Sequence, residues 1–289
     1  MTGKSAAGRG RLRAAAGRRA RVLWAAFPPD APPSPRTAPT TLGRVFTSRG
    51  PSLRELTVQA LSSVERGYDL LAPKFDDTPF RTPERWLTAV TTALRPLGPF
   101  DAGLDVCTGT GAGLDVLRPL CATRVTGVDF SAGMLEQARH AVAGSPGGPG
   151  RPVVDWVRAD ALALPFRRGY DLAVSFGAFG HFLPAERPRL FTQVRQALRP
   201  GGMFAFPLAA PPRPRSAAYW ATSGFDAAMR VRNLVRRPAF VMYYRTWPLG
   251  AVRDDLLRAG FEVRLLPLKE FGRRPDGSPR CRLVVAQRF

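Results

Sequence analysis

The hydrophobic rhythm of the chain changes near residue 100. Before it, Leu53, Leu56, Val58, Leu61 and Val64 recur at helical spacing, and Trp86, Val90 and Leu94 follow at i, i+4 and i+8. Pro73, Pro79 and Pro83 interrupt this stretch, so 51–98 predicts several short helices. From 100 onward, short apolar runs alternate with amphipathic ones. Strands are predicted over 103–107, 124–129, 153–158, 170–176 and 203–208, then over 261–268 and 281–287. Helices are predicted over 112–120, from an N-cap at Ser131 to Val142, on the face Leu190, Val194, Ala197 and Leu198, and over 249–259. Residues 144–152 read as a Gly/Pro loop, Arg199-Pro-Gly-Gly202 as a helix stop, and Pro275-Asp-Gly277 as the turn of a closing hairpin. Strands alternating with helices make βαβ units. The fold class is therefore α/β, a mainly parallel sheet with helices on both faces.

The pattern divides the chain. Residues 1–50 lack apolar periodicity and are rich in Arg, Ala, Gly and Pro, which predicts a disordered basic tail. Residues 51–98 form an N-terminal helical cap, and 99–289 the core. Within the core, 211–246 interrupts the alternation with Pro, Arg and aromatics, as an insertion. With 289 residues and 45% hydrophobic content, the chain supports one sizeable core. Its longest apolar stretches, such as 201–210, fall short of the ~18 residues that a membrane span needs. A soluble, cytoplasmic protein with no membrane span is expected. The three cysteines, Cys107, Cys121 and Cys281, form no CxxC pair, and His140 and His181 are the only histidines. This argues against a disulfide framework and against any metal site.

The formal net charge is +21. Residues 1–50 hold ten Lys/Arg against one acid, Asp30, and residues 211–280 hold fourteen against six. A basic surface suits anionic partners, although charge speaks to association and not to fold. The tail has three readings: a flexible extension, a targeting segment, or a nucleic-acid-binding arm without interleaved aromatics. Its apolar run, 22–27, is too short for a secretory signal.

Candidate chemistry centres on Leu104-Asp-Val-Cys-Thr-Gly-Thr-Gly-Ala-Gly113, a strand entering a Gly-rich turn before a helix. Glycines there let a ligand approach the backbone, and the helix N-terminus favours an anionic group. Leu114 stands where the dinucleotide fingerprint needs its last glycine, and no Lys-Ser/Thr pair follows to make a P-loop. Asp129, ending the next strand, has two readings: a ribose-diol acceptor or a helix cap.

These blocks together resemble the class I (Rossmann-like) S-adenosylmethionine-dependent methyltransferases, in particular their small-molecule branch. The family pattern is met by Asp105, Gly109-Thr-Gly111, Asp129-Phe-Ser-Ala-Gly-Met-Leu135, Asp160-Ala-Leu-Ala-Leu-Pro-Phe166, Tyr170-Asp171 and Leu198-Arg-Pro-Gly-Gly202, in order over roughly 100–210. The resemblance implies a seven-stranded sheet with its last strand antiparallel, helical cap elements, and S-adenosylmethionine as cofactor. It implies that Asp105 faces the methionine ammonium, directly or through water, and that Gly109, Gly111 and Gly113 line the methionine part. Asp129 would hold the ribose, with Phe130 beside the adenine. Met134 would pack on that ring or belong to the core. Asp160 and the Ala161 N–H would meet the adenine edge, and Ser175 and Phe176 would lie near the sulfonium. Tyr68 resembles an N-terminal Tyr that closes over the cofactor. Cys107 departs from the pattern, which has Gly or Ala there, and crowds the pocket.

Methyl transfer from a sulfonium is an in-line displacement. A base is needed only where the acceptor must lose a proton. His181, following the fourth strand, is either that base or a structural residue capping the next helix. Tyr219, Trp220, Phe225, Met229, Phe240, Tyr243, Tyr244 and Trp247 form either an acceptor pocket or the small core of a helical cap. The expected function is methylation of a small-molecule acceptor. Methylation of RNA or protein is one alternative, although no Asn/Asp-Pro-Pro-Tyr/Phe motif follows the fourth strand. A non-catalytic cofactor-binding scaffold is the other.

Overall fold

The structure, a computed structural model, describes residues 49–143 and 150–289. The predicted tail, apart from its last two residues, and most of the 144–152 loop lie outside the described residues. Three helices come first: α1 (Leu53–Leu61), α2 (Val64–Leu71) and α3 (Glu84–Leu94). Ser52 and Glu55 close a capping box on α1, and Ser63 caps α2. The alternating part then runs β1 (Phe100–Val106), α4 (Ala112–Leu117), β2 (Cys121–Asp129), α5 (Ala132–Ala143), β3 (Val153–Arg158) and β4 (Tyr170–Val174). It continues with α6 (Arg187–Ala197), β5 (Leu198–Ala209), α7 (Ala217–Val235), α8 (Leu249–Arg258), β6 (Phe261–Pro267) and β7 (Cys281–Arg288).

The strands form one seven-stranded sheet in the order β3-β2-β1-β4-β5-β7-β6. The pairs from β3 through β5 are parallel, and β7 lies antiparallel between β5 and β6. The chain leaves β1 in one direction towards β2 and β3, then returns to β4 on β1's other side. A crevice opens at that reversal, beyond the carboxyl ends of β1 and β4, where ligands bind in such sheets.

Period-two alternation sorts the core into two layers. Leu104, Val106, Ala173, Phe204, Phe206 and Val284 face Leu190, Phe191 and Val194 of α6 and Val252 and Leu256 of α8. Val125, Leu172, Val174, Ala205, Leu283 and Val285 face Leu87, Val90 and Leu94 of α3 and Leu114 and Leu117 of α4. The central strands β1, β4, β5 and β7 are buried on both faces, as their near-continuous apolar runs require. A buried ion pair, Arg187 Nε to Asp255 Oδ2 at 2.8 Å, ties α6 to α8.

Several element ends shift by one to three residues from the sequence expectation, and two differences are larger. Strand β5 starts at Leu198 and not at Met203, because Leu198 leaves α6 with extended backbone and pairs at once with Tyr170. The insertion contains a 19-residue helix, α7, which apolar periodicity does not reveal. Its one acid, Asp226, turns inward and accepts the N–H groups of Tyr244 and Arg245.

Candidate functional site

A cavity of about 940 Å³ occupies the crevice. Its floor is the β1 turn. Cys107 and Gly109 have φ of +58° and +53°, and Gly111, at φ +98°, is the N-cap of α4. A Cβ added at Gly109 would meet nothing within 4 Å, so its bare backbone presents open space to the cavity. Cys107 carries the cost of a left-handed residue with a side chain, about 1–2 kcal/mol. That cost is a physical reason for glycine in this position.

Asp105 supports the turn from behind. It is buried, accepts the Thr108 hydroxyl at 2.5 Å and the Gly113 N–H, and does not line the cavity. Burial, helped by the nearby charge of Asp129, pushes its carboxyl up to about 7. Gly113 is required because any Cβ there would overlap the Asp105 carboxylate. Gly111 and Gly113 likewise stay out of the wall, and so does Ser175, whose hydroxyl donates to the Val106 carbonyl at 2.8 Å.

The other residues singled out in the sequence do meet around the cavity: Tyr68, Gly109, Asp129, Phe130, Met134, Asp160, Ala161, Phe176 and His181. Asp129 lies at the cavity wall and is not the cap of α5, a position held by Ser131. Its two oxygens accept the N–H groups of Gly109 and Ser131, each at 2.9 Å, while the carboxylate borders the cavity. Burial raises its pKa, and those N–H groups oppose the rise. Ser131 is the predicted cap: its hydroxyl oxygen accepts the Met134 N–H at 3.1 Å. Asp160 uses one oxygen on the Leu162 N–H at 2.8 Å and is exposed.

His181 caps no helix; the N-cap of α6 is Glu186. Its Nδ1 lies 2.7 Å from the Val241 carbonyl, which can only accept, so Nδ1 carries the proton. Its Nε2 therefore accepts the Tyr68 hydroxyl, also at 2.7 Å. Burial lowers the His181 pKa and holds the Tyr68 phenol well above its ordinary value. The pair is thus a neutral imidazole with a phenol in front of it, within electrostatic reach of Asp129.

The aromatic set of the insertion divides. Tyr219, Tyr243, Tyr244 and Trp247 line the cavity, and Trp247 stacks on Phe179 at 3.9 Å. Phe225 packs on Tyr244 outside the wall, Phe240 is buried against Gly67, and Trp220 faces solvent. Pattern reading missed Asp69. Its Oδ1 accepts Ser131 Oγ at 2.6 Å and Gly133 N at 2.9 Å, which locks α2, and with it Tyr68, over the start of α5. Its position directly after Tyr68 was the available signal. Among the described residues no group of three or more His, Cys, Asp or Glu could hold a metal ion. No helix among them is long and apolar enough to cross a membrane.

A mixed sheet of this order, parallel but for β7, with its cavity over a Gly-rich β1 turn and acids ending β2 and following β3, defines a Rossmann-like methyltransferase fold. Residues 104–202, about a third of the chain, match a family model described as a methyltransferase domain. The chain is 36% identical over 110 residues to a 2-phytyl-1,4-naphtoquinone methyltransferase of Trichormus variabilis, covering 37% of this chain and 46% of the relative. It is 28% identical over 183 residues to a demethylmenaquinone methyltransferase of Symbiobacterium thermophilum, covering 63% of each. The chain therefore spans roughly half the length of the curated relatives it matches. A SAM-dependent methyltransferase from Methanosarcina mazei shares the fold, with a TM-score of 0.50 and 21% identity over 66% of this chain and 94% of that one.

Proposed function

We propose that the cavity binds S-adenosylmethionine at its β1–β2 end and a ring-bearing, apolar small molecule at its insertion end, and that methyl transfer occurs between them. The observation that carries this reading is the cavity's two-sided wall. One side has bare backbone at Gly109, the carboxylate of Asp129 and that of Asp160; the other has Phe179, Tyr219, Tyr243, Tyr244 and Trp247. The donor set fits the cofactor, since two carboxylates suit a ribose diol and an adenine amino group. Asp105 would act through the Thr108–Gly113 turn and not by touching the ligand. The sulfonium supplies an activated methyl group.

The chain's own part is placement, exclusion of water and, for a hydroxyl acceptor, a proton path. Tyr68 would accept the acceptor's proton while passing its own to His181 Nε2, with Val241 holding the resulting imidazolium at Nδ1. The likeness to a phytyl-naphthoquinone methyltransferase and a demethylmenaquinone methyltransferase supports a flat, apolar acceptor. The aromatic wall favours such a molecule over the RNA or protein alternative. Calorimetric titration with S-adenosylmethionine and S-adenosylhomocysteine tests the reading. Binding is expected in the wild type, with a loss of about tenfold or more in Asp129→Ala, which removes a charged hydrogen-bond acceptor. Silence in the wild type refutes it. Binding without turnover on any quinol-like acceptor leaves the scaffold alternative standing.

A further inference from the structure

Helix α7 carries an apolar stripe that nothing among the described residues covers. Trp220, Val231, Leu234 and Val235 are 63%, 60%, 87% and 79% exposed, and they recur at 11, 14 and 15 residues, on one helical face. Val58 and Leu61, at the end of α1, are also exposed. The two helices are joined there: Arg232 Nη2 donates to the Ser62 carbonyl at 3.3 Å. Monomeric proteins rarely expose large side chains in such a run unless the surface has a partner. Arg230, Arg236 and Arg237 border the stripe and are exposed. The single acid of α7, Asp226, is buried, so α7 itself presents no exposed acid, and Glu55 on α1 is paired with Lys74.

We propose that α7 and the end of α1 dock this protein on the surface of an anionic lipid bilayer. An amphipathic helix with basic residues beside its apolar stripe lies in the headgroup layer, with the stripe in the acyl boundary. Charge complementarity selects this occupant. A second copy would bring the same arginines face to face, and the 1–50 segment, with ten Lys/Arg against one acid, would be repelled as well. Tyr219, in the first turn of α7 beside Trp220, lines the cavity, so docking places the acceptor end of the cavity near lipid. The proposal extends the reading above without resting on it, because bilayer attachment needs neither cofactor nor turnover.

Flotation of the full chain tests it, with vesicles of phosphatidylcholine alone and of phosphatidylcholine and phosphatidylglycerol in equal parts. The protein floats with the mixed vesicles and much less with the neutral ones, and added salt weakens attachment. Arg236→Ala with Arg237→Ala lowers the partition coefficient roughly 25-fold, at about fivefold per cation. Leu234→Ser with Val235→Ser lowers it by about tenfold or more. Both pairs lie on the surface, so circular dichroism and cofactor titration should match the wild type. Arg253→Ala, on α8, leaves flotation unchanged. Failure of the wild type to float overturns the proposal. So does flotation that survives both double variants, which would assign attachment to another surface. A dimer that the Ser variants dissociate, without vesicle binding, would assign the stripe to a second copy and also overturn it.

Discussion

Asp105 gives the sharpest quantitative expectation. Its carboxyl is buried behind the β1 turn, and removal from water raises its pKa from 3.8 to about 7. The unfolded chain releases this proton near pH 3.8, whereas the folded protein keeps it until about pH 7. Between those values the native state binds more protons, so stability falls as pH rises. The full loss is about 4 kcal/mol, at 1.36 kcal/mol per pKa unit, and about 3 kcal/mol of it falls between pH 5 and pH 8. Asp105→Asn removes the titration. It keeps one acceptor oxygen for Thr108 or Gly113 and loses the other contact, a constant cost of about 1 kcal/mol. Thermal unfolding of the cofactor-free protein at several pH values provides the assay. Relative to Asp105→Asn, the wild type should lose roughly 5–10 °C in Tm from pH 5 to pH 8, at about 2–4 °C per kcal/mol for a domain of this size. The other carboxylates contribute to both proteins and cancel in the difference. Parallel Tm curves would refute the reasoning and show that Asp105 is ionised in the folded protein.

Three further expectations concern the site and its supports. Gly113→Ala puts a Cβ on the Asp105 carboxylate, so α4 or β1 must shift; a loss of about 1–3 kcal/mol or more is expected by denaturant titration, with weakened cofactor binding. If the acceptor loses a proton, His181→Gln and Tyr68→Phe each lower kcat by roughly 10²–10⁴-fold. Wild-type kcat then rises with pH to a plateau, with its midpoint below 6.5 because burial favours the neutral imidazole. Unchanged kcat in both variants, with normal cofactor affinity, removes the proton path. Arg187→Met leaves Asp255 buried beside only the exposed Arg258, and a loss of about 3–5 kcal/mol is expected. Wild-type stability in that variant would show that the pair contributes little.

The sheet was legible because its strands are apolar runs separated by Gly, Pro and cap residues. Its period-two faces, Leu104 with Val106 on one side and Leu283 with Val285 on the other, depend on local sequence alone. Helix α7 was not legible, since only one of its faces packs and its exposed side carries Trp220, Val231 and Leu234, which blurs the amphipathic signal. In the site, Asp129, Asp160 and Gly109 could be read from motif order, because they hold backbone geometry fixed by neighbours in sequence. The inward turn of Asp105, the Asp69 clamp and the Tyr68–His181 pair could not. The last of these spans 113 residues, and only the folded chain brings its members within 2.7 Å.

The insertion has a consequence for how such a protein diversifies. The chain leaves the sheet at Ala209, the end of β5, and resumes the core layers at α8, which begins at Leu249. The segment between lies outside the sheet, and it supplies Tyr219, Tyr243, Tyr244 and Trp247 to the cavity. The sheet and the β1 turn are built without it. A replacement segment of different length and chemistry, joined at the same two points, would change the acceptor while leaving the donor half intact. On the proposed reading, selectivity is carried by an exchangeable cassette, and chimaeras made at Ala209 and Leu249 are the natural units in which to recombine it.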